Sequence, residues 1–325
     1  MEKGQRVIHV KIQNVVIAGG GVLGSQIAFQ AAYCGFNVTL WLRSEGSITR
    51  TQPKLDHLKQ VYSDTIRLMA TDEGKTPLHW ARGIADYQDF NEQECLQRVE
   101  TAYQNIKIEI DMGKAVHDAD LVIESMAENL EDKIAFYKQL AAVLPSSSLI
   151  VTNSSTFLPS KLAKFTGRPD KYLSLHFANS IWKNNTAEIM PHGGTAPENF
   201  DKIMEFAKEI RMIPLPVRKE KAGYLLNSML IPLLFSGMDL YVNGISDPES
   251  IDKAWTLGTG SPKGPFQILD TVGLVTAYNI VQNYVKVPSF LAPYNFKGMS
   301  KMLKKYIDEG KLGVSSGEGF YRYEP

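Results

Sequence analysis

The stretch Gly19-Gly20-Gly21-Val22-Leu23-Gly24 constrains this chain more than any other, because of what flanks it. A β-branched run, Asn14–Ala18, precedes it, and a helical pattern over 25–34 follows. Gly35 then suits a helix C-terminus, and residues 37–42 read as a second strand. Strand, turn, helix and strand within about thirty residues predict a βαβ unit. In such a turn Gly19 permits the tight reversal, Gly21 lets a pyrophosphate approach the backbone, and Gly24 lets helix and strand pack closely. The N–H groups at the helix start, those of Val22 and Leu23 among them, are free to hold phosphate oxygens. The expectation is a dinucleotide site.

The pattern continues. Amphipathic helices are predicted over 53–70 and 92–104, around a loop with Gly74, Pro77 and Gly83. Short strands are predicted at 107–110, Leu121–Glu124, Leu149–Thr152 and 172–175, with helices at Leu130–Val143 and 197–211. This alternation predicts a doubly wound, mainly parallel Rossmann-type α/β sheet. Past the charged residues 218–221 the pattern is helical almost to the end. Two domains follow: 1–217, dinucleotide-binding with a helical-pair insertion, and 218–325, smaller and all-α, for substrate binding and dimerisation.

The second strand ends Trp41-Leu42-Arg43-Ser44, with no carboxylate before Glu45. NAD sites place Asp or Glu there for the adenosine ribose hydroxyls. Arg43 is suited to a 2′-phosphate, with Ser44 donating a hydrogen bond, so NADP is expected over NAD. The alternative is a solvated surface arginine.

Lys plus Arg and Asp plus Glu both number 35, leaving no net charge to attract nucleic acid or an anionic membrane. With only Cys34 and Cys95 there is no disulfide framework, and His57, His79, His117 and His192 lack ligand spacing for a metal. Residues 1–13 lack the unbroken apolar core of a leader. A cytoplasmic location is expected, with no membrane partner. Residues 224–241 are apolar around too much of a helix for one core-facing stripe, which predicts a homodimer.

Asn153-Ser154-Ser155-Thr156, His176-Phe177-Ala178-Asn179, Glu188 and Gly223-Tyr224-Leu225-Leu226-Asn227 together resemble the L-3-hydroxyacyl-CoA dehydrogenases in order and spacing. Gly264-Pro265-Phe266, Leu269-Asp270, Val272-Gly273-Leu274 and Gly317-Glu318-Gly319-Phe320-Tyr321 extend the likeness over nearly the whole chain. A branch that includes bacterial diketoreductases is more similar. It shares His-Phe-Ala-Asn and Asn-Asn-Thr-Ala-Glu, as at residues 176–179 and 184–188. The acyl-CoA enzymes usually carry Phe where this chain has Ala178 and Pro where it has Ser180.

The resemblance implies an oxidoreductase of 3-hydroxy or 3-keto compounds. His176 would be the acid–base group, Glu188 its partner, and Ser155 and Asn227 donors to the substrate oxygen. Glu128, Lys133 and Asn153 would line the cofactor; Lys133 also reads as an ordinary solvated helix residue. Arg50, Lys54 and Lys59 suit CoA phosphates or a solvated helix face. The main expectation is a short-chain 3-hydroxyacyl-CoA substrate of the 3-hydroxybutyryl-CoA type. The alternatives are reduction of CoA-free β-keto or diketo esters and acids, or a redox sensor without catalysis. Intact Ser155, His176, Glu188 and Asn227 weigh against a sensor.

Overall fold

The computed structural model describes residues 11–288 and 290–323. Residues 1–10, part of the stretch read above for a leader, lie outside the described residues. The chain divides into two compact units, Met1–Leu225 and Leu226–Pro325. The division falls later than residue 218 for a physical reason. Val217 and Tyr224 pack with Met190, and the Tyr224 hydroxyl donates to the Ser154 carbonyl at 2.7 Å, which ties the segment to the first unit.

In the first unit, β1 (Asn14–Ala18), α1 (Val22–Tyr33) and β2 (Asn37–Trp41) form the expected βαβ unit. They are followed by α2 (Glu45–Met69), α3 (Glu92–Asn105), β3 (Lys107–Glu109), α4 (Met112–Val116), β4 (Leu121–Glu124), α5 (Leu130–Val143) and β5 (Leu149–Thr152). Then come α6 (Pro159–Leu162), β6 (Tyr172–Phe177), β7 (Thr186–Met190), α7 (Pro197–Glu209) and β8 (Ile213–Pro216). The eight strands are ordered β3-β2-β1-β4-β5-β6-β7-β8, and only the β6–β7 pair is antiparallel.

Strand residues alternate between two cores, as a sheet covered on both faces requires. Val15, Ile17, Leu121 and Ile123 enter one, and Val16, Ala18, Val122 and Ile150 the other. The α2–α3 pair is fastened through α1. The buried Gln30 amide donates to the carbonyls of Gly83 and Ile210, at 2.8 and 3.0 Å, and accepts from Tyr62 at 2.6 Å. Helix α2 begins at Glu45, so Pro53 lies inside it rather than at its start. An interior proline costs about 3 kcal/mol. The stripe Thr51, Leu55, Leu58, Tyr62, Ile66 and Met69, all buried, offsets that cost.

The second unit comprises α8 (Leu226–Val242), α9 (Pro248–Thr259), α10 (Pro265–Val272), α11 (Leu274–Gln282) and α12 (Phe296–Asp308). Its core is built from Leu234, Phe235, Met238, Phe266, Leu269, Met299 and Leu303. The motifs quoted for it prove structural. Asp252 accepts from the N–H groups of Phe266 and Gln267 at the start of α10, and Asp270 accepts from those of Phe320 and Tyr321. Gly264 and Gly319 leave room for these carboxylates, since a Cβ at either would lie within 2.5 Å of one. Among the described residues, no helix is long and apolar enough to cross a membrane.

Candidate active site

The glycine turn opens onto a cavity of about 470 Å³ at the carboxyl ends of β1, β2 and β4, where an open α/β sheet binds its ligand. Each glycine has its own reason. Gly19 sits at φ +117°, a conformation that L side chains rarely adopt, and an added Cβ would approach the Ser125 carbonyl to 2.6 Å. A Cβ on Gly24 would lie 2.0 Å from the Gly19 carbonyl, so the helix packs on the turn only without one. Nothing lies within 4 Å of that position on Gly21, which leaves its backbone open to a ligand. Gly21 is the N-cap of α1, and no side chain caps that end. Val22, Leu23, Glu128, Asn153 and Ser155 line the same cavity. The residues fit a bound dinucleotide.

Asn153 joins this cavity to the next strand: its Oδ1 accepts from Phe177 N–H at 3.1 Å. Glu128 holds the loop after β5, accepting from Ser154 Oγ at 2.8 Å and from Ser155 N–H at 3.1 Å. His176 lies inside β6 rather than beyond its end. The antiparallel register sets it directly opposite Glu188 on β7, a strand that the sequence reading did not include. Directly opposed residues share a sheet face, so register alone brings the side chains together.

His176 Nδ1 lies 2.9 Å from Glu188 Oε2, and Nε2 lies 3.1 Å from Ser155 Oγ. Glu188 and His176 are both buried, whereas Ser155 is exposed to the cavity. Glu188 Oε1 accepts from the Leu225 N–H at 2.8 Å, which fixes the carboxylate on both oxygens. With Nδ1–H committed to the carboxylate, neutral His176 presents a lone pair at Nε2, and the imidazolium presents a proton there. Nε2 thus meets Ser155, which lines the cavity. Asn227 belongs to the second unit, in the first turn of α8.

Lys133 neither lines the cofactor cavity nor meets solvent. It is fully buried, with Nζ 2.5 Å from Glu124 Oε1 and both side chains at 0% exposure. Glu124 also accepts from Tyr137 OH, Thr152 Oγ1 and Met126 N–H, at 3.0, 2.8 and 2.7 Å. Burial and the neighbouring carboxylate hold the Tyr137 hydroxyl well above the usual phenol range, so it stays a donor. Lys59 is paired with Glu100 at 2.6 Å across the α2–α3 pair, whereas Arg50 and Lys54 line the dinucleotide cavity.

Comparison with known proteins agrees with this geometry. Residues 14–221 match the family model described as 3-hydroxyacyl-CoA dehydrogenase, NAD binding domain, and residues 223–323 match the C-terminal domain of the same enzymes. The human mitochondrial hydroxyacyl-coenzyme A dehydrogenase is 29% identical, covering 96% of this chain and 92% of its own. A probable 3-hydroxybutyryl-CoA dehydrogenase of Bacillus subtilis is 28% identical over 97% of this chain and 99% of its own. A solved diketoreductase, described as carrying out substrate-directed dual catalysis of dicarbonyl compounds, is 43% identical. It covers 96% of this chain and 99% of its own, with a TM-score of 0.82.

The expectation of NADP is corrected by these findings, because the matching domain is an NAD binding domain. The structure supplies the physical reason. Arg43 Nη1 is engaged by Asp132 Oδ2 at 3.2 Å, and Ser44 Oγ lies 3.2 Å from Ser47 Oγ. The charge read as free for a 2′-phosphate already faces a carboxylate. A glycine turn that fits a dinucleotide, a buried histidine–glutamate pair and the match of both domains converge: the chain belongs to the 3-hydroxyacyl-CoA dehydrogenase family and is a nicotinamide-dependent oxidoreductase of small hydroxy and keto compounds.

Proposed function

We propose that this enzyme reduces a 1,3-dicarbonyl compound that carries no coenzyme A, or oxidises the matching 3-hydroxy compound. The observation that carries this reading is the loop after His176. Ser180 sits at φ +58° and donates its N–H to Gln26 Oε1 at 2.9 Å. Proline is confined to φ near −65° and has no N–H. A chain with proline at this position, the usual residue of the acyl-CoA enzymes, therefore cannot follow this loop. The departure lies four residues beyond the acid–base histidine. The dicarbonyl chemistry of the 43% identical relative supports the same substrate class.

Gly19, Gly21 and Gly24 would hold NADH, which when bound would supply the hydride. The chain's own residues handle the proton. In reduction the imidazolium of His176 gives its Nε2 proton to the carbonyl oxygen as that oxygen gains negative charge; in oxidation the neutral ring takes the proton from the alcohol. Glu188 keeps Nδ1 protonated and stabilises the charged ring, as the carboxylate of a hydrolase triad does. Ser155, within reach of Nε2, donates to the same oxygen, and loss of one such preorganised donor costs about 2.7–4 kcal/mol of barrier.

The test is NADH consumption with a free 1,3-diketone, a free β-keto ester and acetoacetyl-CoA, compared as kcat/KM. The reading requires one of the CoA-free compounds to be the better substrate by at least about tenfold, equivalent to about 1.4 kcal/mol. A preference for acetoacetyl-CoA would overturn it and restore the acyl-CoA reading.

A further inference from the structure

We propose that Tyr224 is a positioning residue for the acid–base histidine, clamping the His176 ring in plane. This rests on His176 being the proton-transfer group. The Tyr224 ring stacks on the imidazole with centroids 4.4 Å apart and planes 9° from parallel. Its hydroxyl donates to the carbonyl of Ser154, the residue before Ser155, at 2.7 Å. The next N–H along, that of Leu225, donates to Glu188. One two-residue segment therefore touches or braces all three of His176, Ser155 and Glu188.

The backbone shows the constraint behind this placement. Tyr224 sits at φ +50°, after Gly223 at φ +80°. A bulky residue rarely holds that conformation unless its surroundings over-determine it. Burial pushes the Tyr224 hydroxyl well above the ordinary phenol range, so it remains a neutral donor. Glu188, on His176 Nδ1, Glu128, which holds Ser154 and Ser155, and Glu124 are charged groups that act on Tyr224; substitution of Tyr224 leaves all three in place.

The test compares Tyr224→Phe, which keeps the stack and drops the hydroxyl bond, with Tyr224→Leu, which loses both. Tyr224→Met replaces the latter if Tyr224→Leu does not fold. Melting curves establish folding, and kcat and KM for ketone reduction are measured with NADH affinity. Misorientation of the imidazole lowers kcat by about 10–100-fold, with KM and NADH affinity within about threefold of the parent. Tyr224→Phe restores most of kcat.

A folded Tyr224→Leu or Tyr224→Met with the parent's kcat, or a Phe variant as impaired as either, overturns the proposal and leaves Tyr224 as core packing. His176→Gln is run in parallel. If it retains turnover, the acid–base assignment fails; if it loses turnover while the Tyr224 variants match the parent, only the positioning role fails.

Discussion

Replacing Lys133 by methionine separates its part as the buried partner of Glu124 from a part in cofactor binding. Methionine fills similar volume but leaves the Glu124 carboxylate buried without its cation. Breaking a buried pair by removing one partner costs about 3–5 kcal/mol. Tyr137, Thr152 and Met126 continue to donate to Glu124, which puts the expected loss at the lower end, about 3 kcal/mol. For a unit of this size each kcal/mol moves Tm by about 2–4 °C, so the melting point drops by about 6–12 °C. Lys133→Met with Glu124→Gln removes both charges and recovers much of the loss, because the penalty lies in the unpaired charge. Urea titration and thermal melting of the parent, the two single variants and the double variant complete the cycle, with NADH affinity followed by fluorescence. A single variant within about 1 kcal/mol of the parent, or a double variant as unstable as the sum of the singles, refutes the reasoning. A loss of NADH affinity without loss of stability would return Lys133 to the cofactor.

Glu188→Gln keeps the shape of the pair but removes the charge that stabilises the imidazolium; the expected result is a large fall in kcat with little change in NADH affinity, read by steady-state and binding assays. Ser180→Pro forces the loop off its φ +58° path and deletes the bond to Gln26; relative activity toward CoA-free and CoA-linked substrates shifts, whereas Ser180→Gly, which accepts that φ, keeps the parent's ratio. Light scattering at micromolar concentration is expected to give a dimer mass, since Met229, Ile245 and Leu257 of the second unit are 67%, 69% and 84% exposed; a monomer mass would reject the dimer.

What could be read in advance was local. The glycine turn was legible because backbone geometry limits each position: a positive φ at Gly19, a 2.0 Å clash at Gly24 and open space at Gly21. His176 and Glu188 were legible as members of a pattern, but the physical cause of their meeting, the β6–β7 register, was not drawn from the sequence. Thr186–Met190 is short, and its pairing depends on a partner strand rather than on its own composition. The burial of Lys133 was not legible because its partner sits nine residues away on a different element. A signal did exist: Glu124 ends the apolar strand Leu121–Glu124, and a carboxylate buried there requires a donor or cation. Arg43 offered no comparable signal, since Asp132 lies 89 residues further along the chain and is brought near only by the winding of the sheet. Tyr224 was quoted within a motif, yet its stack on His176 depends on a positive φ that nothing about tyrosine advertises.

The most direct test of the account is turnover of His176→Gln on the preferred ketone with NADH, measured alongside NADH binding. Glutamine keeps a polar side chain in the buried site but cannot deliver a proton as imidazolium does. If His176 moves the proton, kcat falls by about 10²–10⁴-fold while NADH binds as it does to the parent. Near-normal turnover in that variant would contradict the central claim and require another proton donor.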